Sequence, residues 1–166
     1  MSTNIVYFEL PELITLQEYN GNFEQYLEVV YSVFNNDFIV NRPNFRGKRL
    51  GLKKHPLYKN KEATFWHLTS DGKVEQDRLP DLRRLERIGW PSPMINKSEH
   101  QYLKVWRNRR GNDESILIWH EKEEYLVVLR DRGEYILPWT AYLVQNKAQK
   151  LKLMKEYGAY IKAETA

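Results

Sequence analysis

Three apolar segments that follow one another closely are the feature that most restricts the fold of this chain. They are predicted as strands over residues 115–120, 125–130 and 135–144. The connections between them are short and therefore join antiparallel neighbours, because a parallel crossover needs about a dozen residues or more. A further strand is predicted over 101–107, before an arginine-rich turn at 107–111. The sequence therefore predicts a small antiparallel sheet.

Helices are predicted before, within and after these strands. Apolar residues recur at helical spacing in three segments, 22–34, 79–88 and 146–161. Residues 63–68 (ATFWHL) are interpreted as an isolated strand, and residues 70–73 as a tight turn after it. This order predicts an α+β fold, with a small antiparallel sheet, helices packed on one side of it and an N-terminal helical extension.

The charges of the chain are segregated along it, although the net charge is only +4. Residues 1–41 contain six acidic residues and no lysine or arginine, whereas residues 42–61 contain eight bases and no acid. We interpret residues 1–41 as an acidic helical N-terminal extension. Residues 42–166 are then an α+β domain, and the whole chain is expected to form one compact unit.

Composition excludes several classes of protein. The 166 residues include no cysteine, which excludes disulfides, thiolate nucleophiles and cysteine-ligated metals. The start of the chain has no signal-peptide pattern and no long apolar run is present, so a cytoplasmic protein without a membrane span is expected. The four histidines are scattered and no Gly-Lys-Ser/Thr phosphate loop occurs. We therefore expect no metal and no cofactor.

The basic segment 42–61 predicts a polyanion as partner. Its cations alternate with aromatic and aliphatic residues, a pattern that follows a phosphate backbone while rings stack on bases. The predicted RNA-binding residues are Arg46, Lys48, Arg49, Lys53, Lys54, His55 and Lys59. Two other readings stay open: a solvated loop, or a partner for the acidic segment 1–41 within the same fold.

The residue types that remain are sufficient for metal-independent RNA cleavage. RNA carries its own nucleophile, the 2′-hydroxyl, so the enzyme supplies a base, a proton donor and cations at the phosphate. His67, in an apolar segment just after the basic one, is the predicted general base, with His120 as a weaker candidate. Tyr142 or His120 is the predicted donor of the proton to the leaving oxygen. A histidine in such a segment is also commonly a core residue. Arg83 and Arg87 lie one helical turn apart and are predicted either to clasp a phosphate or to form an ordinary exposed face.

Alternation along the last strand separates two faces. Ile136, Pro138, Thr140, Tyr142 and Val144 are predicted on one face, and Leu137, Trp139, Ala141 and Leu143 on a core face. Thr140 and Tyr142 then present two hydroxyls on a surface where a substrate can lie, although both are also common strand formers. Pro138 indicates an edge position or a bulge.

Two segments resemble a phage-associated branch of the barnase–EndoU–colicin–RelE ribonuclease superfamily. They are LRRLERIGWPSPMI at 82–95, and ILIWHEKEEYLVVLRDRGEYILPWTAYLV at 116–144. The likeness lies in an arginine-rich helix before Arg87-Ile88-Gly89-Trp90, and in a strand that leads to Thr140-Ala141-Tyr142. It covers residues 60–160, and residues 1–41 lie outside it.

The resemblance implies a metal-independent endoribonuclease, often a toxin that cleaves tRNA or other translation-linked RNA. Arg83 or Arg87, together with Arg130, would be phosphate ligands, and Thr140 and Tyr142 would lie near the scissile group. A toxin of this kind would have a neutralising protein partner. Two other classes stay open, a nucleic-acid-binding module without catalysis and a phage-encoded protein-interaction domain. The acidic segment 1–41 folding over the basic site to dampen activity is a further hypothesis.

Overall fold

The structure, a computed structural model, describes residues 5–71 and 79–165. In chain order its helices and strands are α1 (Phe23–Phe34), β1 (Asn44–Phe45), β2 (Lys48–Arg49), α2 (Ala63–Thr69), β3 (Ser70–Asp71), β4 (Leu79–Pro80), α3 (Leu82–Glu86), α4 (Pro91–Asn96), β5 (Lys104–Arg110), β6 (Asp113–His120), β7 (Tyr125–Asp131), β8 (Ile136–Leu143) and α5 (Lys147–Thr165). A 3-10 turn at Leu16–Tyr19 precedes α1, and a π-helical turn at Asn35–Val40 follows it. The predicted α+β fold is confirmed.

The centre of the fold is the antiparallel sheet β5-β6-β7-β8, built from consecutive hairpins as predicted. The arginine-rich stretch at 107–111 is mostly strand rather than turn, because β5 continues to Arg110, which pairs with Asp113. The chain turns instead at Gly111, whose φ of +63° suits glycine. Arg107 is stable in the strand because Glu114 and Asp131 are its ion-pair partners, at 3.3 and 2.8 Å.

A bulge in β8 changes the predicted faces. Val128 of β7 pairs with Thr140, but the next residue, Leu129, pairs with Pro138, so Trp139 is the extra residue. Thr140 and Tyr142 do share a face, as predicted. They pair with Val128 and Leu126 of the neighbouring strand β7. Placing Ile136 and Pro138 on that face is wrong, because the bulge shifts the alternation by one residue. Pro138 thus marks both a bulge and an edge strand.

Helices cover both faces of this sheet. On one face, α1 to α4 pack over a hydrophobic cluster that includes Phe34, Phe65, Leu85, Ile118 and Val127. The expectation that helices pack on one side does not extend to α5, which lies on the other face. There its apolar residues Leu153, Met154, Tyr157 and Tyr160 pack against Trp106, Leu117, Trp119, Leu126 and Val128.

The segment 63–68 forms a helix, α2, and the predicted strand is wrong. All seven residues of α2 are buried. A segment without a polar face shows no periodicity, so its aromatic and β-branched residues favour a strand by composition alone. The helix is closed by Thr69, whose hydroxyl donates to the carbonyl of Phe65 at 2.8 Å.

The helix predicted over 79–88 is shorter than expected. Its first two residues form β4, which pairs with β3, and α3 begins only after Asp81. The prolines at 91 and 93 do not end helical structure but lie in the first turn of α4. Proline is tolerated there because the first N–H groups of a helix have no hydrogen-bond partner within it. The turn predicted at 70–73 falls partly outside the described residues.

The N-terminal segment packs into the same hydrophobic cluster as the sheet. Phe8, Phe34 and Phe38 lie together there with Phe45 and Phe65. The helix predicted at 22–34 is confirmed as α1, and its N-cap, Asn22, accepts a hydrogen bond of 3.1 Å from the backbone of Gln25. Within residues 5–71 and 79–165, no helix is long and apolar enough to cross a membrane.

Candidate functional site

Trp139 lies at the point where three predicted elements meet. Because it is the bulged residue of β8, its side chain reaches the edge of the sheet beside α2. The His67 ring of α2 meets it edge to face, with 5.0 Å between ring centroids. The guanidinium groups of Arg130 and Arg132 lie 5.1 and 5.5 Å from its centroid. An imidazole and two cations therefore surround one indole.

The residue after Trp139 connects a second group of side chains. Thr140 Oγ1 accepts a hydrogen bond of 3.2 Å from Nη1 of Arg84, which also donates to the carbonyl of Ser70 at 2.9 Å. The same guanidinium lies 5.2 Å from the ring centroid of Tyr142. One arginine thus holds α3, the end of α2 and the edge strand together.

Short-range sequence chemistry explains the position of Arg84. Asp81 is the N-cap of α3 and accepts hydrogen bonds from the backbone of Arg83 and Arg84 at 2.9 and 3.3 Å. This fixes the first turn of α3, in which Arg84 comes directly before the buried Leu85. The side chain of Arg84 is consequently only 14 % exposed.

We call the residues His67, Arg84, Arg130, Trp139, Thr140 and Tyr142 the edge-strand site. It combines a buried imidazole (His67 is 4 % exposed), two hydroxyls and two guanidinium groups. Carboxylates are paired with the cations: Asp71 and Asp81 lie 3.6 and 3.8 Å from Arg84. Four of the six predicted catalytic residues belong to this site: His67 and Arg130 contact Trp139, and Thr140 and Tyr142 contact Arg84.

The other two predicted catalytic residues make different contacts. Nη1 of Arg83 donates to the side chain of Gln145 at 3.1 Å. Nη1 of Arg87 donates to the carbonyl of Arg83 at 3.0 Å, and its guanidinium lies 5.0 Å from the centroid of Trp90. The Arg87 side chain thus contacts the backbone of Arg83 and not its guanidinium, and Arg84 is the arginine of this helix that contacts Thr140 and Tyr142.

Sequence reasoning missed Arg84, although a signal was present. Arg84 precedes Ile88 by four residues and so borders the apolar stripe of the predicted helix. Arg83 is exposed, whereas Arg87 is half-buried. An arginine beside an apolar stripe reaches across a packed interface more easily than one that faces water.

His120, the weaker histidine candidate, lies in the core of the fold. It is fully buried, its Nε2 lies 2.8 Å from the carbonyl oxygen of Phe8, and its Nδ1 accepts from the backbone of Glu123 at 3.3 Å. Backbone groups thus occupy both ring nitrogens of His120.

The basic segment begins as a hairpin of β1 and β2 and then runs beside β8. Leu50 bridges Ile136, and the backbone of Gly51 donates to the carbonyl of Ile136 at 2.7 Å. Exposed side chains in the segment include Arg46, Lys48, Arg49, Lys54, His55 and Lys59, whereas Lys53 is half-buried. Most of the predicted RNA-binding residues therefore face solvent.

Lys61 is the exception in this segment. It is 6 % exposed, and its Nζ donates to Glu28 at 2.7 Å. At this position the basic segment does pair with the acidic N-terminal segment, which was the alternative interpretation of the charge run. Arg46 is held more loosely, through a hydrogen bond of 3.2 Å from Nε to Ser98 Oγ.

A cavity of about 720 Å³ lies away from the edge-strand site. It is bounded by the β1–β2 hairpin, the strand β5 and the end of α5, and its lining includes Arg46, Lys48 and Arg107. None of the six residues of the edge-strand site lines it. The edge-strand site, and not this cavity, holds the imidazole and the hydroxyls that were predicted as catalytic.

Comparison with known proteins gives no relative: no family model, no curated protein and no solved structure matches this chain. The resemblance to the barnase–EndoU–colicin–RelE superfamily therefore has no support from these comparisons and stays an expectation.

Proposed function

We propose that the protein is a metal-independent endoribonuclease that cleaves RNA at the edge-strand site. The observation that carries the proposal is a pair of contacts at one bulge of β8. His67 of α2 and Arg130 of β7 contact Trp139, and Arg84 of α3 contacts the next residue, Thr140. Residues distant in sequence that combine a proton acceptor, hydroxyls and cations match what cleavage through a 2′-hydroxyl needs.

In this mechanism His67 takes the proton from the 2′-hydroxyl. The 2′-oxygen then bonds to phosphorus, and the bond from phosphorus to the 5′-oxygen breaks as the phenol of Tyr142 gives that oxygen a proton. Of the two predicted proton donors, Tyr142 takes this role, since both nitrogens of His120 are occupied by backbone groups. The products are a 2′,3′-cyclic phosphate and a 5′-hydroxyl, and solvent returns the proton from His67 to Tyr142.

The guanidinium groups stabilise the charge that develops on the phosphate. The Nε atoms of Arg84 and Arg130 are buried, so a phosphate oxygen would meet the terminal nitrogens of these two groups. Thr140 orients Arg84 and does not itself need to react. The exposed cations of segment 42–61 bind the RNA backbone on either side of the cleaved bond.

The substrate class and partner follow from the resemblance rather than from the geometry. We propose tRNA or another translation-linked RNA as the target, and an acidic neutralising protein that covers the basic segment. Both belong to the same proposal, and a test with total tRNA addresses the first directly.

A second function, RNA binding without cleavage, is favoured by one observation. His67 is 4 % exposed and packs against Trp139, as a histidine with a purely structural role would. In that case the same cations and aromatic rings bind RNA, and no bond breaks.

Cleavage of total tRNA and a mixed RNA pool in EDTA, with mapped product ends, tests these two functions. We expect cyclic-phosphate ends with the wild type and a loss of at least a hundredfold in His67→Ala and His67→Asn. Melting temperature and RNA affinity of the variants control for folding and binding. Intact RNA together with salt-dependent binding would show that the protein binds RNA without cleaving it. Absence of RNA binding would favour a protein-interaction domain.

A further inference from the structure

One aromatic ring of the basic segment faces solvent. Tyr58 is 59 % exposed, more than any other aromatic residue within 5–71 and 79–165. Its neighbour Leu57 is also exposed, at 47 %. Tyrosine usually buries most of its ring, so an exposed one in an acid-free basic segment calls for a partner.

A tight turn fixes the position of this tyrosine. The backbone of Tyr58 donates to the carbonyl of Lys61 at 3.1 Å, and Lys61 donates back at 3.0 Å. Between them Lys59 and Asn60 have φ values of 51° and 61°, as in a type I′ turn. The Trp66 indole donates to the carbonyl of Tyr58 at 3.0 Å. The ring is therefore presented by a preorganised turn.

The turn is also anchored to the body of the protein. Lys61 forms its ion pair with Glu28 of α1, and the Trp66 ring meets the Tyr58 ring with 5.3 Å between centroids. Trp66 is buried and directly precedes His67 in α2. Whatever Tyr58 binds is consequently held next to the helix that supplies the proposed base.

The charges around the ring select the chemistry of the ligand. Lys59 Nζ lies 5.5 Å from the ring centroid, and the exposed Lys54 and His55 are in the same loop. A flat ring beside cations suits a nucleotide, whose base stacks on the ring while its phosphates meet the lysines. A base within a duplex has its faces covered by its neighbours and has no free face to offer.

We infer that Tyr58 is a stacking platform for an unpaired base, so that this protein selects single-stranded over double-stranded RNA. The inference rests on the proposed function for the choice of RNA as ligand. It adds to that function the strandedness of the substrate and the residue that determines it.

Binding of labelled 2′-O-methyl oligonucleotides tests this inference without interference from cleavage, because a 2′-O-methyl group cannot attack the phosphate. Fluorescence anisotropy compares a single strand with a duplex of the same sequence. We expect Tyr58→Ala to weaken single-strand binding about tenfold or more. Duplex binding should be unchanged, and Tyr58→Phe should bind both ligands like the wild type because it keeps the ring. Tyr135→Ala is the matched control, since Tyr135 is 49 % exposed but lies outside the basic segment.

The outcomes separate this inference from the proposed function. Wild-type single-strand affinity in a folded Tyr58→Ala variant, or an equal loss for both ligands, would overturn the stacking platform while leaving cleavage untouched. A selective loss in a protein that cuts no natural RNA would keep the platform and reject the nuclease. Binding of neither oligonucleotide by the wild type would overturn both, and binding to acidic peptide instead would indicate a protein partner.

Discussion

The guanidinium of Arg84 and the hydroxyl of Thr140 are joined by a hydrogen bond of 3.2 Å between Nη1 and Oγ1. The same guanidinium lies against the ring of Tyr142, so a single arginine sets the relative position of both proposed hydroxyls. Its Nε is buried, without a hydrogen-bond partner in the described part of the chain, and the Asp81 carboxylate lies 3.8 Å away. The buried Nε does not reach a substrate, so a phosphate oxygen would meet the terminal nitrogens of this held guanidinium.

Replacing Arg84 should therefore affect cleavage far more than replacing its neighbour Arg83. We expect Arg84→Ala to lower the cleavage rate by about a hundredfold or more, as for loss of one preorganised donor to a developing charge. Arg83→Ala removes the same charge from an exposed position and should stay within a few-fold. Arg84→Lys should recover little, because lysine lacks the planar guanidinium that lies on the Tyr142 ring while its Nη1 bonds Ser70 and Thr140.

The melting temperatures of both variants complete this test, since Arg84 also bonds the carbonyl of Ser70 at 2.9 Å. A rate loss in an Arg84 variant that melts like the wild type shows a role in the reaction. Equal losses in the Arg83 and Arg84 variants would contradict the assignment.

Asp113 should act as an internal competitor for the RNA phosphate. Its two carboxylate oxygens lie 3.0 and 3.4 Å from Arg132 and Arg130, the two cations next to Trp139. A carboxylate between two arginines lies where a phosphate would bind. We expect Asp113→Asn to raise RNA affinity several-fold at low salt, as measured by anisotropy, and to steepen its salt dependence.

Glu114→Gln is the matched control for this prediction. It removes the same charge from the next residue of β6, but its partner is Arg107, at 3.3 Å. If both variants raise affinity equally, the effect is one of net charge. A lower affinity in Asp113→Asn would show that the aspartate positions the arginines instead.

The parts of this site that were predictable from sequence are those whose residues act through local pattern. Thr140 and Tyr142 lie two apart in a strand, so their shared face follows from alternation and survives the bulge. His67 followed from composition alone. Its contact with Trp139 joins residues far apart in the chain, and no local pattern encodes such a contact.

The predictions that were wrong also have specific physical causes. The seven residues of α2 are all buried and present no polar face, so their sequence shows neither the helical period of 3.6 residues nor the strand period of two. The bulge at Trp139 moves one residue out of register, and every face assigned by alternation across it is then reversed. Arg84 was overlooked because Arg83 and Arg87 share the more regular spacing.

Two lysines of the basic segment should have different roles: Lys61 in the stability of the fold and Lys59 in RNA binding. Lys61 is 6 % exposed and paired with Glu28, so Lys61→Met should lower the free energy of unfolding by about 1–3 kcal/mol. Lys59 faces solvent, and Lys59→Met should change that free energy by less than about 0.5 kcal/mol. RNA affinity should show the opposite order, with the larger loss in Lys59→Met. Urea unfolding and anisotropy measure the two quantities, and the same order in both would contradict the separation.

Tyr31 should make the fold sensitive to alkali. Burial, supported by the hydrogen bond of 2.7 Å that its hydroxyl donates to Glu62, raises the pKa of Tyr31 from 10.0 to about 12. A group whose pKa is higher in the folded state contributes its full stability below the unfolded value of 10.0 and loses that contribution as pH rises to about 12. The free energy of unfolding should therefore fall between these values, by at most about 1.4 kcal/mol per pH unit for this one residue.

Tyr31→Phe removes the titrating group, so its urea-unfolding free energy should fall less steeply over the same interval than that of the wild type. Part of the slope should persist, because burial and Glu123 also raise the pKa of Tyr7 to about 12. At pH 8 the variant should be less stable, since Glu62 is 8 % exposed and loses its phenol donor. An identical slope in variant and wild type would mean that the Tyr31–Glu62 pair opens before the phenol titrates.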